Sequence, residues 1–148
     1  MAIDPMQEHY RALERMYARA PINEFFPPEI SVSHGRASVS LQVRPAYFHT
    51  LNAMHGSVYF KLLDDSAAFA ALSLSDVQAM VTAKFTISFR APVRDGKITA
   101  TAEVVHVDGR KVFVEATLND EEGIEIASGE GLFLPAKMLL ADVGAYQR

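Results

Sequence analysis

Residues 55–73 read HGSVYFKLLDDSAAFAALS. Val58, Tyr59, Phe60, Leu62, Leu63, Ala67, Ala68, Phe69, Ala70, Ala71 and Leu72 leave almost no polar side, and a helix apolar all round belongs inside a protein. Yet two adjacent carboxylates, Asp64 and Asp65, stand in its middle. Burying a charge is costly unless it is paired or neutralised. The stretch therefore predicts a buried helix carrying either an ion pair, with Lys61 the nearest cation, or a reactive carboxyl group. Neighbours on a helix point about 100° apart, so one aspartate can face a site while the other faces elsewhere.

His55-Gly56-Ser57 stands where this helix begins. The first backbone N–H groups of a helix lack internal partners, and that end carries partial positive charge. Glycine lets a ligand approach the backbone closely. Such an end is a cradle for a developing oxyanion.

On both sides of the helix the period changes to two. Ile30 and Val32, then Ala37, Val39, Leu41 and Val43, predict a hairpin turning at His34-Gly35. Downstream, Val81, Ala83, Phe85, Ile87 and Phe89 alternate with Thr82, Lys84, Thr86, Ser88 and Arg90, which predicts one strand with those two faces. Ala91-Pro92 stops it. Ile98 to Val107, Val112 to Leu118 and a last strand through Leu134 follow, with turns at Asp108-Gly109 and Glu121-Glu122-Gly123. Upstream, residues 4–19 form an amphipathic helix: Asp4 caps, Pro5 takes the first helical position, Gln7 suits a capping box, and Met6, Tyr10, Leu13 and Tyr17 share a face. The order predicts an α+β fold, an antiparallel sheet of about six strands wrapped around a central helix, with an extra N-terminal helix. Residues 1–148 are expected to form one domain, with the helix in 1–20, the core in 29–134 and a tail in 135–148.

Composition narrows the function. A net charge of −4 with no basic run argues against nucleic-acid binding. No cysteine is present, so disulfides and thiolate chemistry are excluded. No apolar run reaches the roughly 20 residues needed to span a bilayer, and the first twenty residues lack a signal-peptide pattern. No membrane association and a cytoplasmic location are expected. His9, His34 and His106 are scattered, and no metal site is expected. His49 and His55, with Asp64 beyond, are a weak two-histidine, one-carboxylate set, because a histidine followed by glycine at a helix start suits backbone chemistry better.

At these residues a family resemblance enters. HGSVYFKLLDDSAAFAA resembles the His-Gly-Gly signature, with an Asp nine residues on, of the hotdog-fold acyl-CoA thioesterases, in particular their phenylacetyl-CoA thioesterase-like branch. The stretch TISFRAPVRDGKITATAEVVHVDGRKVFVEATLNDEEGIEIASGEGLF is similar to the same family's strand and turn pattern, and the likeness covers roughly residues 30–134. The resemblance implies a hotdog fold and a homodimer, or dimer of dimers, whose paired sheets run on continuously.

It implies a site as well. Asp64 matches the catalytic carboxylate, acting as general base on water or as nucleophile. Gly56, after the signature's His55, matches the glycine whose N–H polarises the thioester carbonyl. Thr82 matches a Ser or Thr that helps hold the attacking water, and Asp65 falls at a supporting position. The groups converge from opposite chains. Ser57 replaces the second glycine, keeping an N–H and adding a hydroxyl. His49 stands where the family commonly has Asn or Gln; Asn52 is the other candidate for that role, and His49 could instead assist acid–base work. Arg90, Arg94, Arg110 and Lys111 are candidates to meet the phosphates of coenzyme A. Tyr47, Phe48, Met54 and Phe60 are candidates for the acyl wall.

The implied function is hydrolysis of a small-to-medium acyl-CoA with release of CoA. A thioester is already activated, so a carboxylate or water and one stabilised oxyanion suffice, and no cofactor is expected. The alternative is a non-catalytic acyl-CoA-binding or sensing module, which gains nothing from a buried negative charge. A hotdog dehydratase would carry a different motif.

Overall fold

The structure, a computed structural model, describes residues 4–148; of the expected N-terminal segment, the first three residues lie outside the described residues. The elements run α1 (Pro5–Ala18), β1 (Glu29–Ser33), β2 (Arg36–Gln42), α2 (Gly56–Leu72), β3 (Gln78–Phe89), β4 (Lys97–Asp108), β5 (Lys111–Asn119) and β6 (Glu125–Leu139). One antiparallel sheet takes them in the order β1-β2-β4-β5-β6-β3. It curls around α2, the hotdog arrangement. Val58, Leu62, Leu63, Ala67, Ala70 and Ala71 of α2 are buried against Val39, Leu41, Ile98, Ala100, Val114, Leu118 and Phe133. No helix among the described residues is long and apolar enough to cross a membrane.

α1 starts as its sequence dictates. The Asp4 carboxylate accepts the Met6 N–H at 2.9 Å, and Pro5 opens the first turn, where its missing N–H costs nothing. Its apolar face buries Tyr10, Leu13 and Tyr17. Beside them His9 is fully buried: its Nε2–H donates to the Leu72 carbonyl at the end of α2, and its Nδ1 accepts from the Tyr146 hydroxyl, both at 2.8 Å. Arg11 and Glu14 reach the backbone of Val32 in β1.

Two readings of the sequence are corrected. The last strand does not stop at Leu134 but runs to Leu139, with Pro135 opposite Met80 at a break in the β3–β6 register, where a missing N–H is tolerated. The faces of β3 are not those of strict alternation. Thr82 faces Phe133 and Lys84 faces Leu132, which leaves Ala83 as an extra, unpaired residue. One extra residue reverses the phase of the strand on its N-terminal side. Phe85 and Ile87 pack on the core as expected, but Thr82 joins their face, and Val81 is turned out to 51% exposure.

Phe85 lies flat over β6 because the residues beneath it are Gly129 and Gly131; a Cβ on either would collide with its ring. Its other side meets Phe60 of α2 edge-on, with ring centroids 5.5 Å apart.

Candidate active site

Asp64 lies midway along α2 on the side facing β3. Its Oδ1 accepts a hydrogen bond from the Thr82 hydroxyl at 2.8 Å, a contact created by the Ala83 bulge. Among the described residues it has no cation within ion-pair distance. Burial pushes its carboxyl above the ordinary value of 3.8; the Thr82 bond opposes this, the Asp65 charge adds to it and Lys61 opposes it.

Asp65 is in a different state. Its Oδ2 binds Lys61 Nζ at 2.6 Å, one helical turn back, and accepts from the Tyr17 hydroxyl of α1 at 2.6 Å. Lys61 also donates to the Asn23 side chain at 2.7 Å and lies over the rings of Tyr17 and Phe26. Burial, then the Asp65 charge, pushes the Tyr17 phenol upward, so it stays a donor. Asp65 is thus the paired carboxylate and Asp64 the unpaired one.

The start of α2 presents donors. His55 is its N-cap: its Nδ1 accepts the Ser57 N–H at 3.0 Å. The N–H expected from Ser57 is therefore engaged within the chain, whereas the Gly56 N–H meets no acceptor among the described residues. Gly56 opens onto a cleft of about 330 Å³ lined also by His49, Met54, Tyr59, Phe89, Arg90, Ala91 and Pro92. Phe89 crowds the glycine so closely that a Cβ there would stand 3.1 Å from its ring.

The remaining expected residues distribute unevenly. His49 lines the cleft, while Asn52 is exposed at the tip of the preceding turn in a left-handed conformation, φ 60°. Arg90 borders the cleft but is held by Glu125 at 2.7 Å and Ser128 at 2.9 Å. Arg110, in the β4–β5 turn, and Lys111, the first residue of β5, line a separate depression with Asp108, Leu134 and Pro135. Arg94 lines a third, among the acidic residues Asp95, Asp120, Glu121 and Glu122. Of the apolar candidates, Met54 borders the cleft, Tyr47 is buried in the core with Phe48 packed against it, and Phe60 is 38% exposed one turn before Asp64. Tyr59 and Phe89, which wall the cleft with rings 5.5 Å apart, were not foreseen; the signal was present in Phe89, the last apolar residue before Ala91-Pro92.

Gly56 and Asp64 are eight residues apart on one helix, hence about 12 Å along its axis. Groups that far apart cannot hold one carbonyl and its attacking water within a single chain. β3, which lies beside Asp64 and ends at Gly56, is an edge strand of the sheet, and its Val81 and Phe89 are 51% and 57% exposed.

The comparisons with known proteins agree with this architecture. The E. coli PaaI protein from the phenylacetic acid degradation operon superposes with a TM-score of 0.82 at 22% identity, over 90% of this chain and 96% of that one. A conserved protein of Pseudomonas aeruginosa gives 0.75 at 26% identity, over 82% and 98%. An inferred esterase of Saccharolobus solfataricus is 31% identical over 67 residues, and the match spans 45% of this chain and 45% of that relative. The family model of the thioesterase superfamily matches residues 51–127, more than half of the chain. That span takes in the central helix with β3, β4 and β5, and the chain belongs to the thioesterase superfamily.

Proposed function

We propose that the protein hydrolyses the thioester of a small-to-medium acyl-CoA, releasing CoA, with a site completed between two copies of the chain. The observation that carries this reading is Asp64: a half-buried carboxyl group, given no cation among the described residues and oriented by Thr82. A scaffold would gain stability by placing an apolar residue there. A module that only binds an anionic ligand would gain affinity from the same change. A general base for water is served by both features, since its raised basicity and fixed direction favour proton removal.

In this reading Asp64 takes the proton of a water that attacks the thioester carbon. The Gly56 N–H of the other copy receives the oxygen on which charge develops. Pairing along the β3 edges brings the middle of one α2 toward the start of the other and covers a long exposed edge. Arg90, at the mouth of the cleft, is the cation best placed to meet a CoA phosphate.

Replacement of Asp64 by Asn keeps the Thr82 bond but removes the base. Release of free CoA, followed with a thiol reagent across an acyl-CoA series, is expected to fall at least 10²-fold in kcat with fold and assembly unchanged. Turnover equal to wild type would refute the reading.

A further inference from the structure

An open sheet has two edges, and a bare edge offers its unpaired N–H and C=O groups to another strand. Here the edges are β1 and β3. Along the twelve residues of β3 no side chain among the described residues bonds the backbone. β1 differs. The Val32 N–H donates to Glu14 Oε2, and the Val32 carbonyl accepts from Arg11 Nη2, both at 2.8 Å. Arg11 and Glu14 stand one turn apart on α1 and pair with each other at 3.0 Å. Together they bring the acceptor and the donor that a neighbouring strand would bring.

The hairpin register shows how much of the edge this closes. Ser33 is opposite Arg36 around the two-residue turn, Ser31 opposite Ser38 and Glu29 opposite Ser40. Bonds to β2 alternate along an antiparallel strand. Val32, whose groups go to α1, lies outside that set, so Ile30, two residues back, also turns its N–H and C=O outward. Pro28, two further back, has no N–H. An added strand has Ile30 and Val32 to bind, and the Arg11–Glu14 pair occupies one of the two.

We propose that Arg11 and Glu14 close the β1 edge against a second copy of this chain, confining sheet-to-sheet pairing to β3. The β3 pairing is taken from the proposed function; the cap itself is independent of catalysis. One two-fold contact per chain makes a closed pair, whereas two different ones at opposite edges of a sheet let copies keep adding. Without the cap, β1 of one copy pairs antiparallel with β1 of another. The register that uses both outward residues sets Ile30 opposite Val32 of the second copy, and Ser31 opposite Ser31, with Cα atoms about 4.5 Å apart. Ser31 is exposed.

Light scattering after gel filtration, with far-UV circular dichroism to follow the fold, tests this in wild type, Arg11→Ala and Arg11→Ala/Glu14→Ala. Expected are one finite mass for wild type and, for the double variant, folded species of roughly twice that mass or more that grow with concentration. Ser31→Lys added to the double variant sets like charges face to face and should return the wild-type mass. The chain has no cysteine, so Ser31→Cys reports the register: it should cross-link under mild oxidation in the double variant and not with the cap intact. A folded double variant of wild-type mass overturns the proposal. So does growth that Ser31→Lys leaves in place, the pattern of a loosened α1, or a Ser31→Cys cross-link indifferent to the cap. Where the double variant does not fold, Arg11→Ala decides. Arg11 is half exposed and its loss frees only the carbonyl, so growth is expected at higher concentration, and wild-type mass throughout overturns the cap. A monomeric wild type fails the β3 pairing instead, and the cap is then read from whether its removal yields dimers.

Discussion

A carboxyl group that loses water without gaining a cation holds its proton more tightly, and Asp64 is in that condition while Asp65, its neighbour, is neutralised by Lys61. The sign of the stability effect follows. Asp64 binds a proton more readily folded than unfolded, so its favourable contribution is complete below 3.8 and is lost as pH rises through its raised value. Asp64→Asn should therefore melt a few degrees higher than wild type at pH 7, with the gap closing as pH falls toward 3.8; an equal or lower melting temperature at pH 7 would contradict this. Thr82→Val removes the bond that favours the ionised form, so the acidic limb of the activity profile should move up. A limb that stays in place or moves down would show that the bond does not tune Asp64. The Asp64–Asp65 pair was conspicuous in the sequence, and Lys61, four residues before Asp65, already shared a helical face with it. That Tyr17 of α1 would close the same network was not visible, because contacts between distant elements leave no local pattern.

Elements decide what these residues can reach. α2 was legible almost to its ends, since its apolar surround and His-Gly start have few other readings; it begins at Gly56 and ends at Leu72. β3 was legible as a strand but not in its faces. A bulge adds one residue without altering composition, so alternation counted through Ala83 assigns Val81 inward and Thr82 outward, the reverse of what packing selects. The link between α1 and α2 runs through Asp65. Removing its carboxylate leaves Lys61, only 10% exposed, without its counter-ion, so Asp65→Ala should cost about 3 kcal/mol by denaturant titration. CoA release per folded molecule should fall much less than in Asp64→Asn. The opposite ranking of the two rates would mean that the reactive carboxylate is Asp65.

At the scale of the molecule, α1 and the segment 145–148 are clasped over the far end of α2. His9, buried between α1, Leu72 and Tyr146, has its pKa held below 6.5 chiefly by burial, with Asp76 and the Leu72 carbonyl opposing and Arg148 assisting. Stability drawn from a neutral, buried histidine is present above 6.5 and is lost as pH falls below it. Wild type should lose stability from pH 6.5 downward, and His9→Gln should flatten that slope; an unchanged slope would place the acid sensitivity elsewhere. At the other end of α2 lie the cleft and the exposed edge of β3, where the proposed site sets one chain's Asp64 to work with another chain's Gly56. Pro is tolerated at the first position of a helix and lacks an N–H, so Gly56→Pro deletes the donor, and its Cβ would meet the Phe89 ring at 3.1 Å. The direct measurement is CoA release from Asp64→Asn and Gly56→Pro proteins, separately and after unfolding and refolding together in equal amounts. Expected are two inactive proteins whose mixture recovers about a quarter of wild-type activity by random pairing; a mixture as inactive as its parts would contradict a site shared between chains.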